Sequence, residues 1–173
     1  MVIVACTLSA SCATHIRKPE GPPPPPSVKF TQFDSAILKH VEIAPQLADS
    51  GANQKAVKKI DEHLQTKMKY VFPDVQEPGT SAPAKGRTLT ISPYVSDIKF
   101  IGGGARFWAG AMAGSSAVLM KVTYTDSDGH VIADPEFYAD ANAFAGAFSI
   151  GATDNLMLDR IADDIVNYTK LNH

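Results

Sequence analysis

Residues 117–125 alternate without a break. Val118, Met120, Val122 and Tyr124 fall on one side, and Leu119, Lys121, Thr123 and Thr125 on the other. A period of two is that of a strand with one buried face. The segment Ser127-Asp128-Gly129 follows, then a second apolar stretch at Val131-Ile132. Together they predict a β-hairpin whose return strand runs to about Ala141. A two-stranded ribbon does not stand alone in water. The rest of the chain must therefore add strands to it and cover its apolar face.

Two stretches supply that cover. Val57, Ile60, Leu64, Met68 and Val71 recur at spacings of three and four after the cap-and-turn sequence Asp49-Ser50-Gly51, predicting an amphipathic helix that ends before Pro73. Leu158, Ile161, Ala162, Ile165 and Tyr168 form a second stripe after Gly151, with Thr153 as the expected cap and Asp154 at the positive end of the dipole. Further strands are expected on either side of the first helix. Val28, Phe30, Ile37, Val41 and Ile43 alternate with polar residues up to Pro45. Arg87 to Ile101 alternates through Leu89 and Ile91 and then changes phase near Pro93, as an edge strand with a bulge would. Pro73 to Gly86, rich in Pro and Gly, reads as a loop. The expected fold class is α+β: a mixed four- to five-stranded sheet with two helices packed on one face, preceded by an apolar leader and a proline-rich stalk.

The first 27 residues are different in kind. Met1 to Ala13 carries no charge and consists of small and aliphatic residues with Cys6 and Cys12, the chain's two cysteines. This is the composition of a secretory segment. Ser9-Ala10-Ser11-Cys12, preceded by Leu8, resembles a lipobox, in which a signal peptidase cuts before a cysteine that carries diacylglycerol. Cys12 is the expected lipid attachment site and Cys6, behind Ile3-Val4-Ala5, the alternative. No Lys or Arg precedes the apolar run, so the natural leader is expected to begin upstream of Met1. Residues 13–27 hold Pro19 and the run Pro22 to Pro26, six of the twelve prolines. They read as an extended linker, at about 3.1 Å per residue. Residues 28–173 then form a single domain. With Ala13 rather than Asp after Cys12, the resemblance to lipoprotein sorting rules implies anchoring in the outer membrane, facing the periplasm.

Within the domain the least generic stretch is Gly102 to Ser116, with five of the twelve glycines and the only tryptophan. Neither G-x-G-x-x-G nor G-x-x-x-x-G-K-[ST] occurs in it, which argues against a nucleotide site. Gly110 and Gly114, four apart, allow two backbones to approach closely, and tight packing on the sheet also accounts for them. A second small and aromatic patch, Ala143 to Gly151, contains Phe144 and Phe148. Its rings either pack with Phe107 and Trp108 or form an exposed apolar surface. The sequence thus nominates Arg106, Phe107, Trp108, Gly110, Gly114, Phe144 and Phe148 as a contact surface.

Arg106-Phe107, Ala109-Gly110, Ala113-Gly114-Ser115-Ser116, the strand to Thr125 and the turn Asp126 to Ile132 together resemble the pattern of domain-of-unknown-function family 4410, bacterial envelope lipoproteins. The likeness spans about Phe30 to Leu171 in element order and Arg106 to Ile132 in residues. It implies an envelope location and an α+β fold, and brings no activity with it.

Chemistry is sparse elsewhere. His15, His40, His63, His130 and His173 are scattered without ligand spacing, so neither a metal nor a cofactor is expected. Asp126, Asp128 and Gly129 resemble the start of a calcium loop, but the glycine comes early and Phe137 stands where the closing glutamate belongs. Asp159, Asp163, Asp164 and Arg160 read as a solvated helix face. No G-x-S-x-G elbow is present. Lys plus Arg number 16 against 18 Asp plus Glu, a formal charge of −2, so nucleic acid is not an expected partner. The expected function is a non-catalytic binding or assembly module, with an envelope protein or a second copy as partner. A membrane-perturbing or oligomer-forming protein acting through Phe107 to Met120 is the alternative, and an unrecognised hydrolase is third.

Overall fold

A computed structural model describes residues 16–77, 79, 86–101, 115–141 and 152–173. Its element order is β1 (Ser35–Leu38), β2 (Glu42–Ile43), α1 (Gly51–Met68), β3 (Thr88–Lys99), β4 (Ala117–Thr125), β5 (Val131–Ala133), β6 (Glu136–Asp140) and α2 (Ala152–Asn172). The six strands form one open mixed sheet. They fill four positions: β1 and β2 pair in parallel with successive parts of β3, β3 pairs antiparallel with β4, and β5 and β6 pair antiparallel with successive parts of β4. The fold class is the expected one, its two edge strands each broken into two pieces.

Proline accounts for much of this pattern. Pro135 follows Asp134 at the break between β5 and β6, yet its carbonyl still accepts from the Val122 N–H at 3.0 Å. Pro93 was expected to mark an edge, but β3 is central. The carbonyls of Ile91 and Val95 accept from Lys39 and Ala44, so the β3 residues in phase with them face β1 and β2. The donor that Pro93 lacks thus falls at residues 39–41, where β1 has ended and β2 has not begun. The bulge lies between Val95 and Asp97, not at Pro93. Leu89, Ile91 and Val95 therefore stay on the buried face, and the phase changes only before Ile98. The alternation at Val28 and Phe30 is no strand: Phe30–Gln32 is a short 3-10 turn that sinks the Phe30 ring into the core.

The core lies between one sheet face and the two helices. Val118, Met120, Val122 and Tyr124 of β4 are fully buried, as their alternation predicts, against Ile60, Leu64 and Met68 of α1 and Met157, Ile161 and Ile165 of α2. Ile60, Leu64, Met68 and Val71 of the predicted stripe are buried, Val57 is partly buried against the core, and Ala56 joins them. The cap of α1 is Ser50, whose hydroxyl accepts from the Asn53 N–H. Helix α2 starts at Ala152, so Thr153 lies in the first turn instead of capping it. Lys59 pairs with Asp159 at 3.0 Å, His63 faces the same carboxylate at 3.5 Å, and Lys67 pairs with Asp163. This ladder runs in the same direction along both helices, which are therefore parallel. Parallel helices set like dipole ends side by side, and the cross-helix ion pairs oppose that repulsion. Asp159 and Asp163 are thus held between helices, whereas the expected Arg160–Asp164 pair, at 3.7 Å, does lie on the helix surface.

Residues 16–27 depart from the free stalk expected of them. Ile16 is buried, the Lys18 ammonium lies 5.9 Å from the centre of the Tyr138 ring, and the Tyr168 hydroxyl donates to the Pro24 carbonyl at 2.8 Å. Ser27 donates to the Ile132 carbonyl from both its N–H and its hydroxyl. Their partners run from Tyr138 on β6 back to Ile132 on β5, so the segment is a strap along that edge of the sheet. Proline offers no N–H to extend the ladder, which makes such a strap a terminator and not a seventh strand. Among the described residues, no helix is long and apolar enough to cross a membrane.

Candidate functional site

Cys6, Cys12, Arg106, Phe107, Trp108, Gly110, Gly114, Phe144 and Phe148 all lie outside the described residues. What is described is where Gly102 to Ser116 leaves and rejoins the sheet and where Ala143 to Gly151 leaves β6 and enters α2. Lys99, Ala117 and Asp140 stand in register across β3, β4 and β6, so both segments are rooted at the same end. One residue ties the roots together. The fully buried Ser116 accepts from the Ile101 N–H on its hydroxyl at 3.0 Å and from the Ala141 N–H on its carbonyl at 2.9 Å. Nothing in the sequence singles out Ser116 from its neighbours, because the need for a buried acceptor arises only when Ile101 and Ala141 flank it.

The hairpin at the opposite end is explained by its turn. Asp126 accepts the N–H groups of Asp128 and His130 on one carboxylate oxygen and faces the His130 ring at 3.1 Å with the other, and Gly129 supplies the positive φ of 84°. Partial burial works against ionisation of Asp126, but these donors and the His130 side chain outweigh it and hold its carboxyl below the usual range. Asp126, Asp128 and His130 place one ligand atom each within 4.8 Å of one another. The turn itself uses both Asp126 oxygens, one for its backbone and the other for the His130 ring.

Two grooves flank the strap. One, of about 550 Å³, opens on the sheet face away from the helices beside Leu119, Lys121 and Glu136. There Lys121 pairs with Asp134 at 2.6 Å, and the hydrogen bond and charge of that carboxylate raise the Lys121 pKa. The other, of about 510 Å³, lies between the strap and the Phe137, Tyr138, Tyr168 and Leu171 side chains. The Tyr168 ring is fixed by neighbours, Phe137 edge-on at 5.6 Å and Tyr124 tilted at 5.7 Å. Burial pushes the Tyr168 phenol up to about 12. Burial raises Tyr124 further still, opposed by its 2.8 Å hydrogen bond to the Thr169 hydroxyl. Tyr168 was legible as a core residue, but its hydroxyl contact with Pro24, 144 positions away, was not.

No family model and no curated protein sequence matches the chain. Solved structures do. Protein XCC0632 from Xanthomonas campestris, of family DUF330, aligns with a TM-score of 0.51 at 9% identity, over 87% of this chain and 93% of that one. A PelC dodecamer from Paraburkholderia phytofirmans aligns at 0.46 and 12% identity over 83% and 94% of the two chains. The hypothetical protein CT253 from Chlamydia trachomatis aligns at 0.46 and 12% identity over 80% and 96%. At these identities the first of these likenesses speaks for the fold alone. The chain thus shares its fold with a bacterial protein of family DUF330.

Proposed function

We propose that this protein is a lipid-anchored, non-catalytic module of the bacterial envelope, a member of domain-of-unknown-function family 4410 held at the outer membrane on its periplasmic side. It binds an envelope protein or a second copy of itself. Its contact surface is built from the segments Gly102 to Ser116 and Ala143 to Gly151. The observation that carries this reading is the common root: Ser116 bonds to Ile101 at the start of one segment and to Ala141 at the start of the other. Two stretches rich in glycine and aromatic residues, far apart in sequence, thereby start from one end of the sheet and can serve one partner.

The experiment is photo-crosslinking in intact cells from Phe107, Trp108 and Phe144, with Tyr70, exposed just past α1 at the other end of the domain, as the control. The same species captured from both segments and not from Tyr70 is the expected result. Different species from the two segments, or equal capture from Tyr70, rejects a shared surface. Anchoring is tested separately by metabolic labelling with a fatty-acid analogue. Label is lost in Cys12→Ser; if it persists there and disappears in Cys6→Ser, the alternative cysteine carries the lipid.

A further inference from the structure

We infer that the groove between β6 and α2 is a recognition site for basic, proline-rich extended polypeptide, and that residues 16–27 are its resident occupant in cis. The groove has the parts such a ligand needs. Proline-rich chains present exposed carbonyls and flat apolar rings at little entropic cost, and are read by aromatic surfaces with a hydrogen-bond donor. Here Tyr168 offers its hydroxyl to the Pro24 carbonyl at 2.8 Å, and Tyr138 and Leu171 line the same groove.

The donor is preorganised. Tyr168 packs against Phe30, Tyr124 and Phe137, so its ring direction is set by the core and not by the strap. Charge is complementary as well. Glu136 and Asp164 line the groove with Lys18, which lies over the Tyr138 ring. Between its anchor points the strap borders open space of about 510 Å³ on this side and about 550 Å³ on the other. Leu171, 80% exposed, is an apolar side chain at the groove that the strap leaves uncovered. An occupant bordered by open space on both sides exchanges with a competitor, subject to the effective concentration of its own tether, about millimolar for short links.

The test uses a full-length chain in which Pro22 to Pro26 are replaced by alternating Ser and Gly, and a fluorescein-labelled peptide with the sequence of residues 16–27. Anisotropy is expected to show saturable binding to this released chain and at least tenfold weaker binding to the unaltered protein. Adding Tyr168→Phe to the released chain should weaken binding about threefold to tenfold, the worth of one hydrogen bond. A peptide with its prolines changed to alanine should not bind. Equal binding of the alanine peptide, or a folded released chain that self-associates and ignores the proline peptide, overturns the inference. Should the released chain fail to fold, cleavage after Glu20 by a glutamyl endopeptidase is followed in the unaltered protein. Both Tyr168→Phe and an excess of the peptide carrying Glu20→Gln, which the protease does not cut, are expected to accelerate it at least threefold, and cleavage unmoved by either overturns the inference.

Discussion

Tyr168 shows how one side chain joins core and surface. Its ring belongs to an aromatic cluster with Phe30, Tyr124 and Phe137, while its hydroxyl reaches the strap. Burial raises its pKa to about 12 from the usual 10. The protonated phenol is thus favoured in the folded state. By linkage, its contribution is fully present below pH 10 and is lost as pH rises through about 12, because over that window the native state binds more protons than the unfolded one. Titration of the phenolate absorbance should show a wave near pH 12 that disappears in Tyr168→Phe. Cleavage of the strap after Glu20 should rise over the same interval in the unaltered protein. A Tyr168→Phe variant with the late wave intact would assign it to another tyrosine, and strap cleavage flat with pH would break the link to Pro24.

At the scale of elements, Ser116 secures the junction of β3, β4 and β6. Ser116→Ala leaves the buried Ile101 N–H without its acceptor, a loss expected to cost about 1–3 kcal/mol in denaturant unfolding. Hydrogen exchange should quicken first at Ile101 if the bond is local, whereas a change below about 0.5 kcal/mol would mean that the amide finds another partner. The elements themselves were largely legible because burial imposes a period. Every residue of the stripe from Leu158 to Tyr168 and of the alternation from Val118 to Tyr124 is buried, and Met157 and Val166 join the helical stripe. Errors arose where a long-range pairing decides the outcome. Pro93 sits in a central strand because β1 and β2 part opposite it, and no local pattern announces that gap. The five-proline run predicts an extended linker from local chemistry, but its seat on Tyr168 depends on a helix more than a hundred residues away. Of the candidate site, the sequence nominated both segments, while their common root required the register of three strands.

For the whole molecule, a seated strap changes how an anchored domain would stand. A free linker from Cys12 to Ser27 would span about 46 Å at 3.1 Å per residue. With Ile16 buried, only the four links from Cys12 to Ile16 remain, at most about 14 Å. The strap also enters at Tyr138, two residues from Asp140 at the end where Ser116 joins the roots. If Cys12 carries the lipid, that end faces the bilayer and the Tyr70 end points away. Labels placed one at a time at Asn155→Cys and Tyr70→Cys, in a Cys6→Ser background, report this orientation. Asn155 lies near the start of α2, where Lys59 of α1 reaches its carbonyl, and Tyr70 is eleven residues further on, about 16 Å along a helix. Energy transfer to an acceptor in the bilayer should be stronger from Asn155 than from Tyr70 in the unaltered strap. Replacing Pro22 to Pro26 by Ser and Gly should abolish the difference, since a flexible link of that length lets the domain tumble. Equal transfer from both positions with the strap intact would mean that the strap, though seated, does not orient the domain.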